Sequence, residues 1–127
     1  MMARQKPGVE LRTHVSGKRV VLLMAAVVSI GSVGAAQQVT VVQKNREFAK
    51  ARVAIAAGDT VRFTNEDEFL HQIYASSPGF TFDSDEQAPG EVVDVKFPYP
   101  GEYDVRCGIH PRMILHVSVG KPAATKR

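Results

Sequence analysis

From Gln37 onward the apolar residues alternate with polar ones or sit in short runs, and Gly, Pro, Asn and Asp interrupt them at strand-length intervals. This pattern constrains the fold more than any other feature, because a period of two leaves no continuous apolar stripe for a helix to bury. It predicts strands at Val39–Gln43, Arg52–Ala56, Thr60–Asn65, His71–Ala75, Glu91–Phe97, Gly101–Cys107 and Met113–Val119. Two joints carry turn chemistry, Ala57-Gly58-Asp59 and Pro98-Tyr99-Pro100-Gly101. Only Asn45–Ala51 is helix-like; it is too short to nucleate alone and reads equally as an irregular strand edge. Short strands at this spacing point to an all-β protein, an antiparallel two-sheet sandwich. In the last strand Met113, Leu115, Val117 and Val119 share one face, expected in the core. Ile114, His116 and Ser118 share the other, so His116 is expected in solvent.

The chain has 127 residues, one Cys and no Trp. That length bounds it to one small domain with at most a short appendage, which excludes a multidomain enzyme. A single thiol excludes both an internal disulfide and a thiolate-rich zinc ribbon. Stability must therefore come from a packed core, and a bound metal would add to it.

The net charge of +3 is not evenly spread. Residues 1–36 hold five basic side chains against one acidic, whereas residues 37–127 hold eleven against twelve. With no basic stripe interleaved with aromatics beyond residue 36, nucleic acid is excluded as a partner. Basic residues up to Arg19 precede an uncharged run, Val20 to Ala36, that ends in Gly34-Ala35-Ala36. Residues 1–36 thus have the layout of a signal peptide, with His14 inside it, and imply an exported, periplasmic protein without a membrane attachment after cleavage. The alternative is an uncleaved anchor, but a run of 17 residues containing two Gly and two Ser falls short of the roughly 20 apolar residues of a comfortable span. Residues 37–120 are then the domain, and 121–127 a patternless charged tail expected to be disordered.

The chemistry lies in Cys107-Gly108-Ile109-His110-Pro111-Arg112-Met113, a thiol, an imidazole and a thioether at three-residue steps. Cys107 ends one predicted strand and Met113 begins the next, so the residues between form a loop that can gather the three side chains around a point. A second imidazole, His71, begins a strand directly after Phe69-Leu70. Two His, one Cys and one Met are the ligand set of a mononuclear copper electron-transfer site, thiolate and imidazoles in a trigonal plane with a weak axial thioether. Taken singly, a Cys at a strand end is usually a small buried hydrophobe and a Met on a core strand is packing. Asn65 and Asp67 read as turn formers whose side chains bond local backbone, with no functional role.

Gly58-Asp59-Thr60-Val61-Arg62-Phe63-Thr64-Asn65, then His71, then Tyr103-Asp104-Val105-Arg106-Cys107, then His110 and Met113, resembles the cupredoxins, the small type 1 blue copper proteins. The Cys-x-x-His-x-x-Met spacing is most similar to that of the amicyanins; plastocyanins and pseudoazurins have a longer His-to-Met spacing. The resemblance implies a Greek-key β-sandwich of about eight strands, one copper ion per chain at one end, and His71, Cys107, His110 and Met113 as its ligands. Two positions depart from the family pattern. Gln72 stands where an Asn commonly ties the two ligand loops together, and Ile109 where Pro often precedes the second His.

Four protein ligands leave no open position for substrate, which favours a non-enzymatic electron carrier over a catalytic metal that keeps a water. By the resemblance, the exposed edge of His110, ringed by Gly108, Ile109, Pro111 and Pro78-Gly79, is the electron port, and the partners are redox proteins, a c-type cytochrome or a dehydrogenase, met by a monomer. Glu66-Asp67-Glu68 and Asp83-Ser84-Asp85-Glu86 are expected as acidic loops that either steer a basic partner or are merely solvated. The competing function is copper handling, as a chaperone, storage or maturation protein. An enzyme with Cys107 as nucleophile and His110 as base lacks an identifiable orienting residue and oxyanion site.

Overall fold

The computed structural model describes residues 34–122 and Gly8. The signal segment therefore lies outside the described residues apart from Gly8 and 34–36, and the tail apart from Lys121 and Pro122. Nine strands form: β1 (Gln38–Lys44), β2 (Glu47–Phe48), β3 (Arg52–Ala56), β4 (Thr60–Asn65), β5 (His71–Ser77), β6 (Phe80–Gln87), β7 (Val92–Lys96), β8 (Gly101–Cys107) and β9 (Ile114–Gly120). Among the described residues there is no helix. All seven predicted strands are present with ends shifted by at most two residues. The ambiguous Asn45–Ala51 stretch holds a tight turn and the two-residue β2. Strand β6 was not anticipated, because its outward positions carry Asp83, Asp85 and Glu86 and read as a polar loop.

The strands make an all-β sandwich of two sheets, in the orders β2-β1-β4-β7 and β3-β9-β8-β5-β6. The expectation of purely antiparallel sheets is corrected: β1 pairs with β4, and β3 with β9, in parallel. Both parallel pairs join strands that are not consecutive, a relation local turn chemistry does not encode. The Ala57-Gly58-Asp59 joint carries the chain from one sheet to the other, with Gly58 at φ 96°, where a side chain would be strained. Asp59 fixes this corner by accepting from the backbone N–H groups of Gln37 (2.8 Å) and Ala56 (2.9 Å).

Between the sheets lie Val41, Val61, Phe63, Val95 and Phe97 from one side and Ile73, Val105, Leu115 and Val117 from the other, all nearly inaccessible. Burying each large side chain of this set contributes about 1.5–3 kcal/mol. The face assignment in β9 holds, with Met113, Leu115, Val117 and Val119 buried and His116 exposed. His116 Nδ1 lies 2.6 Å from Asp104 on the outer surface. Phe80, Phe97 and Tyr103 cluster with ring centroids 5.1–5.6 Å apart, and the Tyr103 hydroxyl donates to the Tyr99 carbonyl at 2.9 Å. This cluster closes one end of the sandwich. The opposite end carries the loops that follow β1, β4, β6 and β8.

Candidate metal centre

At that second end the pleat alternation of β8 turns Tyr103, Val105 and Cys107 inward, so the thiol sits at the last inward position, only 2% exposed. Strand β5 runs beside β8, with Ile73 opposite Cys107, which brings His71 to the same level. His71 is fully buried. The loop from Gly108 to Arg112 turns back over both, pinned at its ends: the Met113 N–H donates to the His110 carbonyl (3.0 Å), and the Cys107 N–H donates to the Met113 carbonyl (3.3 Å). His110 is thereby brought over the buried pair.

Three donor atoms converge. Cys107 Sγ lies 3.6 Å from His71 Nδ1 and 3.7 Å from His110 Nδ1, and the two Nδ1 atoms are 3.2 Å apart. Donors in a trigonal plane at metal–nitrogen and metal–sulfur lengths of about 2.0 and 2.3 Å stand about 3.5 Å (N to N) and 3.7 Å (N to S) apart, using zinc as the ruler. The donor set therefore fits one small metal ion. Met113 is 2% exposed at the end of the ligand loop, directly before β9.

The electrostatics prepare both imidazoles. Asp67 Oδ2 lies 2.8 Å from His71 Nε2, and an ionised carboxylate only accepts, so His71 carries its proton on Nε2 and presents an unprotonated Nδ1. Asp67 is held in turn by the β1–β2 turn, whose Asn45 and Arg46 N–H groups donate to Oδ1 (2.6 Å) and Oδ2 (3.0 Å). Burial pushes the Asp67 carboxyl upward, but the Arg46 amide, the His71 ring and the Asn45 amide outweigh it and hold the group below the usual carboxylate range. For His110, burial, His71 and the Arg46 guanidinium lower the proton affinity against an opposing pull from Asp67, so its lone pair is available at neutral pH. His71 and His110 stack obliquely at 4.8 Å, and Phe69 meets His110 edge-on at 6.4 Å.

Residues 35–120 match the family described as copper binding proteins, plastocyanin/azurin family. The chain belongs to that family. No curated protein matches it. Among solved structures it is similar to a Cu-containing nitrite reductase (NirK) from Thermus scotoductus SA-01, at 30% identity and TM-score 0.61, over 67% of this chain and 23% of the reductase. It thus spans about a quarter of that enzyme's length. It is also similar to amicyanin from Paracoccus versutus (25% identity, TM-score 0.60, 65% of this chain and 80% of that one). A novel purple cupredoxin from Nitrosopumilus maritimus (22%, TM-score 0.57, 65% and 99%) shares the fold. With the family shown and the thiol and imidazoles gathered, copper is the cofactor, and His71, Cys107 and His110 are positioned to hold one ion.

Several sequence readings are corrected around this plastocyanin/azurin-type centre. Asp67 is not a mere turn former: its side chain bonds the first imidazole and two amides more than twenty residues away. Asn65 bonds local backbone as expected, accepting from the Asp67 N–H (2.9 Å) and donating to the Phe69 carbonyl (2.8 Å), but it also donates to the Gln87 carbonyl (3.0 Å), 22 residues away. Pro78-Gly79 does not rim His110. It is the β5–β6 turn beside the Phe80 cluster, just past the end of β5, which carries the chain about 20 Å away from His71 at strand rise. Phe69, 42% exposed, takes that place. The acidic stretch Asp83–Glu86 is strand rather than loop, and Asp83 accepts from the Gln72 side chain at 3.0 Å.

Gln72 ties the ligand loops through its backbone. Its carbonyl accepts from the Gly108 N–H (2.8 Å) and its N–H donates to Cys107 Sγ (3.4 Å). A Cβ on Gly108 would meet Gln72 Oε1 at 2.5 Å, so a larger residue there would displace the Gln72 side-chain amide. Sequence reasoning also missed buried Gln43 and Gln87. Gln43 Nε2 donates to Gln87 Oε1 (2.7 Å), while Gln87 Nε2 reaches the carbonyls of Phe63 (3.0 Å) and Glu91 (2.8 Å), anchoring the loop between β6 and β7. Their only signal was an amide side chain at an inward strand position.

Proposed function

We propose that this protein is an exported one-electron carrier that works through a mononuclear type 1 copper site with His71, Cys107, His110 and Met113 as ligands. The observation that carries this reading is the trio of one Sγ and two Nδ1 atoms at 3.2–3.7 Å, two of the three residues buried, in a chain of the plastocyanin/azurin family. Copper supplies a Cu(I)/Cu(II) couple. The protein keeps the donor positions fixed so that little rearranges when the charge changes: Asp67 locks the His71 ring, Gln72 spans the two ligand loops, and two backbone bonds pin the loop. Met113, at the loop's end, supplies the weak fourth ligand and closes the coordination sphere. A filled sphere leaves no site for a substrate, which argues for a carrier rather than an enzyme of its own.

His110 is the half-exposed ligand, and its outer edge is the electron port. Phe69 (42% exposed) and Ile109 (42%) flank it and Leu70 (41%) follows Phe69 in the chain, apolar surface suited to brief contact with a redox protein such as a c-type cytochrome or a dehydrogenase. The signal-like residues 1–36 support export to the periplasm, and the carrier is taken to act there as a monomer. Titration of the protein with Cu(II), followed by visible absorption and voltammetry, tests the reading. An intense thiolate-to-copper band saturating at one ion per chain with a reversible one-electron wave is expected. A colourless or irreversible product would leave copper handling as the function.

A further inference from the structure

The β1–β2 turn and the ligand loop form the walls of an open groove of about 420 Å³. Arg46 and Glu47 line one wall, and Ile109, His110, Pro111 and Arg112 the other. The Arg46 guanidinium is seated 4.0 Å from the centroid of the Phe69 ring, a cation–π contact that holds a long side chain at the groove's edge. Ion pairs among the described residues use Arg62, Arg106, His71 and His116, so neither Arg46 nor Arg112 is neutralised there. The acidic residues expected to face a partner are meanwhile partly engaged inside the protein. Asp67 holds His71 and the β1–β2 turn, and Asp83 holds Gln72 and the Asp85 amide.

We propose that this groove docks an acidic surface of the redox partner, with a partner carboxylate lying between Arg46 and Arg112 beside the edge of His110. The inference rests on the carrier reading and reverses the polarity that the acidic runs suggested. Residues 37–127 are slightly acidic overall, but at about 0.1 M salt charges more than about 10 Å apart are largely screened, so the charges at the groove outweigh the net charge of the domain. Glu47 shares the wall with Arg46 and offsets one of the groove's two positive charges, while Glu66 and Glu68, exposed at the same end, disfavour other docking orientations of an acidic partner. Guanidiniums also suit carboxylates in particular, because each can donate two parallel hydrogen bonds; Arg46 is held by Phe69, and Arg112 is exposed on the facing wall.

The test uses the full chain, copper-loaded and reduced, with two one-electron oxidants of opposite charge, hexacyanoferrate(III) and tris(phenanthroline)cobalt(III). Each accepts one electron from Cu(I). The variant Arg46→Gln/Arg112→Gln is compared with Lys96→Gln/Lys121→Gln, which removes the same charge from the opposite end. At about 0.1 M ionic strength the groove variant should lower the ratio of anion to cation rates about tenfold, and the control little. Equal effects of the two variants would overturn the proposal in favour of net charge. A copper-independent measurement separates this failure from failure of the carrier reading. Hexacyanochromate(III), a paramagnetic trianion, should broaden the amide signals of Asn45, Arg46, Glu47, Ile109, His110 and Arg112 in the metal-free protein and spare them in the groove variant. Broadening elsewhere, or none, refutes the groove even if the copper wave is reversible; selective broadening with no reversible wave refutes the carrier and keeps the anionic docking site.

Discussion

Replacing Asp67 by Asn removes a charge and exchanges one acceptor for a donor while preserving shape. In the native protein Oδ1 accepts from Asn45 N–H, and Oδ2 accepts from both Arg46 N–H and His71 Nε2–H. With the carboxamide oxygen at the Oδ2 position two bonds survive without charge assistance, and the new NH2 faces the Asn45 N–H across 2.6 Å. Turned the other way, the Arg46 bond is lost and the His71 bond is reversed, the new NH2 donating to Nε2, so that the His71 proton is driven to Nδ1, the atom needed by the metal. Losing one bond and the charge assistance of two others amounts to about 2–4 kcal/mol, offset in part because a buried charge is no longer desolvated. We expect the metal-free variant to lose about 2 kcal/mol, a fall in Tm of about 8–16 °C for a domain of this size. Copper affinity should weaken about 10–100-fold, as when other groups that orient ligands are removed. Urea unfolding of the metal-free protein and competition with a chelator measure the two effects. A variant that unfolds within about 0.5 kcal/mol of the wild type and keeps its copper affinity would falsify the orienting role, since that is the size of a neutral surface change. The native Asp67 carboxyl titrates below its unfolded value, so its contribution is complete above about pH 4, the unfolded range, and declines as pH falls through the lower folded value. Acid unfolding of Asp67→Asn should lack that component.

Cys107→Ser should abolish the intense visible band while circular dichroism still reports a folded sandwich, because the smaller hydroxyl fits the same 2%-exposed position; a retained band would refute thiolate ligation. Met113→Gln should keep copper bound but lower the reduction potential, since a harder axial oxygen favours Cu(II). An unchanged potential in voltammetry would remove Met113 from the ligand set. Phe63→Ala, at a fully buried ring 5.8 Å from Phe48, should cost about 3–5 kcal/mol in denaturant unfolding. A cost under about 1 kcal/mol would mean that this part of the core collapses around the gap.

The strands and the donor residues were legible in the order of residues alone. Alternation along Gly101–Cys107 and Met113–Val119 states which side chains face inward, and the three-residue steps from Cys107 to Met113 announce ligand types in a loop. Strand β6 was hidden because an edge strand with one solvated face can carry acidic residues at every outward position. The parallel pairs were hidden because they join strands distant in sequence, and the Pro78-Gly79 turn was assigned to the wrong end because, without β6, the β5–β6 hairpin that carries it away from His71 was not recognised.

Local rules determined what each residue is able to do. Periodicity depends on neighbours two apart, and metal affinity on the donor atom itself. The tertiary structure decided which abilities are used. Asp67 reads as a turn residue until the β1–β2 turn, 21 and 22 residues away, delivers two amides to its oxygens and His71 delivers a third donor. Arg46 reads as one solvated charge among several until Phe69 seats it at the mouth beside His110. Hydrogen-bond partners, burial and local potential depend on distances in space, and residues close in space here come from strands far apart in the chain.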